Sequence, residues 1–353
     1  MLSPLFDAIS GVHTVWDSLA EAKLPIVLYG TGDGADKVIA VMESRGIPLT
    51  AIFVSDDFYR GQIFHGRQVT TLSALETQYP DFIIVVAFGS HLPEILERVR
   101  QMDSRHPLYV PDVPVYGDTL FDLSFVHQHA EELQKAYNLL ADETSRQVFQ
   151  SVVEYKLSGK LAPLLNTVSS KDEVFDRLIP MDTDEHYLDL GAYRGDTVAE
   201  FLSACGGKYT SITALEPDPR TFKKLLAYTS NLENSLSLPY GVSDRNEIAY
   251  MKTGRGRGSN RGGSTPIQMV SVDELHIPFS YIKMDVEGSE AAALRGGAYT
   301  LSQFKPKLNI ACYHRSEDLY QLPLLINQLQ PNYQIFLRRH PCLPCWDLNL
   351  YCK

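Results

Sequence analysis

The stretch that most limits what this chain can fold into is Tyr187-Leu188-Asp189-Leu190-Gly191-Ala192-Tyr193-Arg194-Gly195-Asp196-Thr197. Leu188 and Leu190 sit in a short apolar run, and two glycines come next in a G-x-x-x-G spacing. Val198, Phe201, Leu202 and Cys205 then recur at i, i+3, i+4 and i+7, the stripe of an amphipathic helix. The pattern is strand, tight turn, helix. Glycine lets a ligand approach the backbone, and a helix N-terminus presents unpaired N–H groups, so a nucleotide-type ligand suits such a turn. Any strand-to-helix turn favours glycine, however, and the residues beyond Gly195 are more decisive.

The next apolar run, Ser211–Leu215, ends at Glu216, 21 residues after Gly195. Asp218 is a natural N-cap and Pro219 suits the first helical position, with Phe222, Leu225 and Leu226 facing inward. Adjacent strand ends of an open parallel sheet meet at the ligand crevice, so Glu216 is placed to accept hydrogen bonds from ribose hydroxyls. Leu236–Val242 reads as a third strand whose exit, Ser243-Asp244, would flank the base. The fourth, Tyr281-Ile282-Lys283-Met284-Asp285-Val286-Glu287-Gly288-Ser289-Glu290, brings Asp285 beside the glycine turn. Glu287 and Glu290 open the following helix, where either the helix dipole or a functional role accounts for acids. Leu308–Tyr313 ends at His314, a candidate general base with an ordinary pKa of about 6.5. Tyr333–Leu337 and Leu348–Tyr351 would form a closing antiparallel pair.

A second glycine turn lies near the start. Ile26–Tyr29 reads as a buried strand, and Gly30-Thr31-Gly32-Asp33-Gly34-Ala35 matches G-x-G-x-x-A, a permitted form of the dinucleotide fingerprint. Val38, Ile39 and Met42 continue as a helix, and the strand Ala51–Val54 runs into Asp56-Asp57, where a ribose-binding acid would sit. Phe82–Ala87 and Leu108–Val110 complete a Rossmann-like parallel sheet. Between the two halves the pattern turns helical, with stripes at Leu133, Ala136, Tyr137, Leu140 and at Val148, Phe149, Val152, Val153. Asp142 caps the second of these helices, Gly159 stops it, and His127 and His129 read as a solvated helix start. The expected organisation is α/β: an N-terminal domain over 1–117, a packed helical connector over 118–180, and a second α/β domain over 181–353.

With 353 residues and a net charge of −11, general polyanion binding is disfavoured. The chain lacks a signal-peptide pattern at Met1–Asp7 and any run of about 18 apolar residues, so a cytoplasmic protein is expected. Five cysteines, an odd and sparse count, fit reduced thiols. Cys342-Leu343-Pro344-Cys345 lacks a second ligand pair for zinc and reads as a turn. Thr253–Ser264, three arginines among glycines, reads as a loop over the site that contacts an anionic substrate rather than a nucleic-acid segment.

Residues 181–353 resemble the FkbM family of S-adenosylmethionine-dependent methyltransferases. The marks are D-L-G-A-x-x-G-D-T at Asp189–Thr197, A-L-E-P-D at Ala214–Asp218, K-M-D-V-E-G-S-E at Lys283–Glu290, and Tyr313-His314-Arg315-Ser316-Glu317-Asp318. The tail Pro341–Asp347 departs from the family pattern at a place that shapes the acceptor pocket. The resemblance implies a class I methyltransferase fold, seven strands in a mostly parallel sheet with an antiparallel closing strand. It further implies that Asp189, Gly191, Ala192, Gly195, Asp196 and Thr197 cradle the methionine part of S-adenosyl-L-methionine. Glu216 and Asp218 would serve the ribose, Val242, Ser243 and Asp244 the adenine, and Asp285 the reacting methyl, with His314 as base. A version with a divalent cation on Asp285 and Glu287 or His314 lacks a full ligand set, and the metal-free version is the expectation. The expected function is O-methylation of a small-molecule or sugar acceptor, without nucleic acid or membrane; a homodimer stays open. A nucleotide-binding scaffold that is catalytically idle, or an NAD-dependent sugar-nucleotide enzyme using Gly30–Ala35, are the alternatives.

Overall fold

In the computed structural model of the protein, which describes residues 11–251 and 263–353, two sheets carry the two glycine turns. The N-terminal sheet comprises β1 (Ile26–Tyr29), β2 (Ala51–Phe53), β3 (Ile63–Phe64), β4 (Arg67–Thr70), β5 (Ile83–Val86) and β6 (Leu108–Tyr109). Its order is β3-β4-β2-β1-β5-β6, parallel throughout except for the β3–β4 hairpin. That hairpin was not expected: its strands are two and four residues long, and its turn uses His65 and Gly66, both at positive φ.

The second half continues with β7 (His186–Leu190), β8 (Ser211–Leu215), β9 (Ser235–Leu238), β10 (Tyr240–Val242), β11 (Glu247–Met251) and β12 (Thr265–Val270). It ends with β13 (Tyr281–Met284), β14 (Lys307–Ala311), β15 (Ile335–Arg339) and β16 (Leu348–Cys352). Seven of these form a sheet in the order β15-β16-β14-β13-β7-β8-β9. β16 slots between β14 and β15, antiparallel to both, while the remaining pairs are parallel. This is the expected seven-stranded α/β layout. The single third strand expected over Leu236–Val242 is instead two strands divided at Pro239, which has no N–H to continue the ladder. β9 stays on β8, whereas β10 joins a three-stranded sheet with β12 and β11. Ser243 and Asp244 therefore leave the small sheet, not the large one.

The connector is a packed layer. Its three longest helices span Leu123–Gln128, Ala130–Leu139 and Glu143–Ser158, and Gly159 ends the third of these at φ 64°. One buried apolar cluster joins Val27 and Ile84 of the first sheet, Phe149 and Val152 of the connector, and Ile310 and Leu337 of the second sheet. Charge pairs pin these layers: buried Lys156 Nζ lies 2.6 Å from buried Asp112 Oδ2, and buried Arg338 Nη2 lies 2.6 Å from half-buried Asp142 Oδ2. Among the described residues, no helix is long and apolar enough to cross a membrane. The arginine-glycine segment falls largely within residues 252–262, outside those described.

Asp142 does two jobs, since its Oδ1 also accepts from Ser145 N at 2.8 Å as the N-cap of the helix Glu143–Ser158. Burial opposes its charge, but Arg338 and Ser145 hold the carboxyl down to about 2. The stability it supplies is complete above its ordinary value of 3.8 and is lost as pH falls toward 2. Asp142→Ala, which removes a cap and strands Arg338, is expected to cost roughly 2–4 kcal/mol in urea unfolding. A loss below about 0.5 kcal/mol, the value of an exposed pair, would contradict this assignment.

Candidate active site

The large sheet reverses its winding at β7: the chain runs outward through β8 and β9, then returns to place β13 on the other side. The C-terminal ends of β7, β8 and β13 thus open on one crevice, where parallel sheets bind ligands. Gly191, Asp196, Thr197, Glu216, Val242 and Asp285 all wall a pocket there. Asp189, Ala192, Gly195, Asp218, Ser243, Asp244 and His314 are not part of that wall.

Gly191 explains why this turn requires glycine. Its φ is +80°, and a Cβ on it would lie 1.9 Å from the carbonyl oxygen of Asp285. Gly195, at φ +91°, starts the helix Asp196–Ala204 and packs on Tyr228, whose ring a Cβ would meet at 2.6 Å. Asp189 is fully buried behind the turn, accepting from Thr197 Oγ1 and lying 3.4 Å from Lys283 Nζ. Lys283 also donates to the Gly191 carbonyl at 3.1 Å. Burial works against the Lys283 ammonium, but Asp189 and then Asp285 and Asp196 raise its pKa. Asp189 therefore braces the turn from behind. Asp218 is likewise structural, capping the helix Pro219–Thr229 through Arg220 N and Thr221 N, each at 2.9 Å.

Glu216 closes β8 and is buried. Its Oε2 accepts from Tyr193 N at 3.0 Å and its Oε1 from Asp218 N at 2.8 Å. Burial outweighs those two donors and pushes the carboxyl up to about 7.

At the other end, β13 runs into a turn where Glu287 and Gly288 adopt φ 52° and 87°. Glu290 points inward, fully buried, and accepts from Val286 N at 2.9 Å. His314, 1% exposed, lies among these acids. Its Nδ1 is 2.9 Å from Glu290 Oε1, an ionic contact without hydrogen-bond alignment. Its Nε2 is 3.3 Å from Asp285 Oδ1 and 3.8 Å from Glu287 Oε2. Burial disfavours the charged ring, but Glu290 first, then Asp285 and Glu287, raise its pKa to about 10. A pKa this high keeps the ring charged at neutral pH, which argues against its expected role as general base. Asp285, Glu290 and His314 come close enough together to hold a metal ion. Glu290 and Asp285 approach opposite ring nitrogens, while one ligand atom from each of the three residues lies within 4.8 Å of the others. Glu290 is accordingly the counterion of His314 rather than a solvated acid on a helix dipole.

Tyr240 and Met269 from the small sheet and His91 and Tyr116 from the N-terminal half were not anticipated as wall residues, whereas Trp346 and Asp347 belong to the tail expected to shape the acceptor pocket. Lys283 had a signal, a charge inside an apolar strand; His91 and Tyr116 had none. Cys342 and Cys345 are free, and burial pushes their thiols up to about 12 and about 11, as suits a turn with inert thiols. At the first glycine turn, a Cβ on Gly34 would lie 2.6 Å from the Ala87 carbonyl, so that glycine serves close helix–sheet packing. Asp56 and Asp57 are exposed.

Comparison with known proteins bears on the fold and the family. Residues 189–333 match the family model for the methyltransferase FkbM domain, the domain that the motifs after residue 181 resemble. A crystal structure of Methyltransferase FkbM from Methylobacillus flagellatus KT shares the fold at a TM-score of 0.71, with 20% identity, covering 100% of this chain and 94% of that one. Aeropyrum pernix fibrillarin in complex with natively bound S-adenosyl-L-methionine covers 49% of this chain and 69% of its own, at 13% identity and a TM-score of 0.32. An rRNA methylase from Streptococcus thermophilus covers 49% and 88%, at 14% identity and a TM-score of 0.34. These last two scores are too low to bear on this chain. No curated protein sequence matches it.

The charge on His314 is directly measurable. In histidine-labelled protein, the ring resonances that vanish in His314→Asn should stay protonated through pH 8 and titrate near 10. Its stabilising contribution is full below the ordinary 6.5 and lost as pH rises through about 10. Glu290→Gln should bring the titration down. A wild-type ring titrating near 6.5 would contradict the assignment.

Proposed function

We propose that the protein is an S-adenosylmethionine-dependent methyltransferase that methylates a hydroxyl group of a small molecule or sugar. What carries this reading is a single pocket walled by the Gly191 turn, Glu216 and the Asp285 carboxylate. The residues suit the cofactor. Gly191 leaves the backbone open to close approach, Glu216 offers carboxylate oxygens to a ribose diol, and Tyr240 and Val242 give apolar surface for a base. When bound, S-adenosylmethionine supplies an electrophilic methyl group on a sulfonium centre.

The chain's own task is then alignment and removal of one proton. Asp285, with 38% of its side chain exposed, faces the pocket beside the glycine turn and takes the hydroxyl proton. An alcohol oxygen becomes strongly acidic as it gains a methyl group, so a carboxylate is basic enough to receive that proton. His314 is a positioning residue: its cation holds Asp285 in place from behind, and Glu290 holds His314.

Calorimetry with S-adenosylhomocysteine and with NAD separates this reading from a nucleotide-binding scaffold or an NAD enzyme. Saturable S-adenosylhomocysteine binding is expected, weakened about tenfold or more in Glu216→Ala. Because the ionised Glu216 is the better acceptor for two hydroxyl donors, affinity should fall below pH 7, by at most about tenfold per unit. Glu216→Gln should flatten that profile. Binding of NAD alone would sink the proposal.

A further inference from the structure

The cofactor end of the pocket is accounted for, but its outer wall comes from the other half of the chain. Two stitches hold it there. Ser90 and Leu343 form an antiparallel bridge, with Ser90 N donating to Leu343 O at 2.7 Å and Leu343 N to Ser90 O at 2.9 Å. Tyr116 N donates to the carbonyl of His314 at 2.8 Å.

Around each stitch the fit is tight. A Cβ on Gly89 would lie 2.3 Å from the Trp346 ring, so Trp346 packs directly on this N-terminal loop. A Cβ on Gly288 would lie 3.0 Å from the Tyr116 ring. Arg315 covers that ring, its Cζ 4.2 Å from the centroid, while its Nε donates to Gly288 O at 3.0 Å. Tyr116 is thereby clamped to the turn after Asp285. His91, Tyr116 and Trp346 all reach the same pocket as Asp285 and Glu287.

We infer that His91 and Tyr116, together with Trp346, form the acceptor subsite, and that the N-terminal half thereby selects which molecule is methylated. This rests on the methyltransferase reading above. The subsite's chemistry narrows the acceptor. Tyr116, Tyr313 and Trp346 contribute aromatic side chains to its lining, and Asp285, Glu287 and Asp347 add carboxylates. Lys171 and Lys283 are on the same wall but are paired, Lys171 at 2.5 Å with Glu200 and Lys283 at 3.4 Å with Asp189. An uncharged ring fits; a phosphate or carboxylate on the acceptor would meet like charges.

The test needs no known acceptor. The probe is an aza analogue of S-adenosylmethionine, nitrogen replacing sulfur and carrying a benzyl group where the methyl would be, compared with S-adenosylhomocysteine by calorimetry on the full chain. His91→Ala and Tyr116→Ala should each weaken the benzyl probe roughly threefold to tenfold, the loss of one ring contact, and leave S-adenosylhomocysteine within about twofold. His91 is exposed, so its variant decides the matter should Tyr116→Ala unfold. A 4-carboxybenzyl probe should bind wild type about tenfold more weakly than the benzyl one. Absence of S-adenosylhomocysteine binding to wild type would defeat the underlying methyltransferase reading. Normal S-adenosylhomocysteine binding with unchanged benzyl-probe affinity in His91→Ala would overturn this inference alone. Equal binding of the two probes would overturn the exclusion of anionic acceptors.

Discussion

At Gly191 the backbone of one strand end touches the backbone of another. A side chain there would run into the Asp285 carbonyl, so the glycine turn after β7 and the carboxylate after β13 can approach only because residue 191 has no Cβ. That contact makes one pocket of what would otherwise be two strand ends. The β7–β13 ladder sets it up, pairing Leu190 with Met284 in register, and Asp285 N continues the ladder by donating to Leu190 O at 3.0 Å. The proposed cofactor cradle and reaction end are therefore positioned by one sheet register.

Two buried cations then hold the acids in place. Lys283 answers Asp189 beneath the turn, and His314 answers Glu290 and Asp285 beneath the reaction end. Each is paired and almost wholly buried, so removing one partner would leave an uncompensated charge, a penalty of roughly 3–5 kcal/mol. Such pairs add less to stability than to placement. They keep Asp285 facing outward while the groups that hold it remain sealed from solvent.

Much of this was legible in the sequence because it is local. Gly191, Gly195, Glu216 and Asp285 stand at strand ends, and strand ends of a parallel sheet converge whatever the intervening chain does. Asp142 and Gly159 could be read as caps because capping chemistry spans a few residues. Pro239 was visible inside its run and still misread, since the apolar pattern on either side suggested one strand. His314 was found, but not its charge: that depends on burial and on acids at both ring nitrogens, which only tertiary packing reveals. Asp189 was expected to face a ligand, and its actual partner Lys283 lies across the sheet, 94 positions later in the chain. His91 and Tyr116 were beyond reach, because a bridge from Ser90 to Leu343 has no local signature at either end.

The N-terminal glycine turn fits the dinucleotide pattern better than the C-terminal one, yet Gly34 is accounted for by its contact with Ala87. The proposed function places the cofactor at β7. The most direct test is a crystal structure of the protein grown with S-adenosylhomocysteine. Density should show the ribose on Glu216 and the sulfur turned toward Asp285. A ligand seated at Gly30–Ala35, or in the β7 crevice with its sulfur turned away from Asp285, would contradict it.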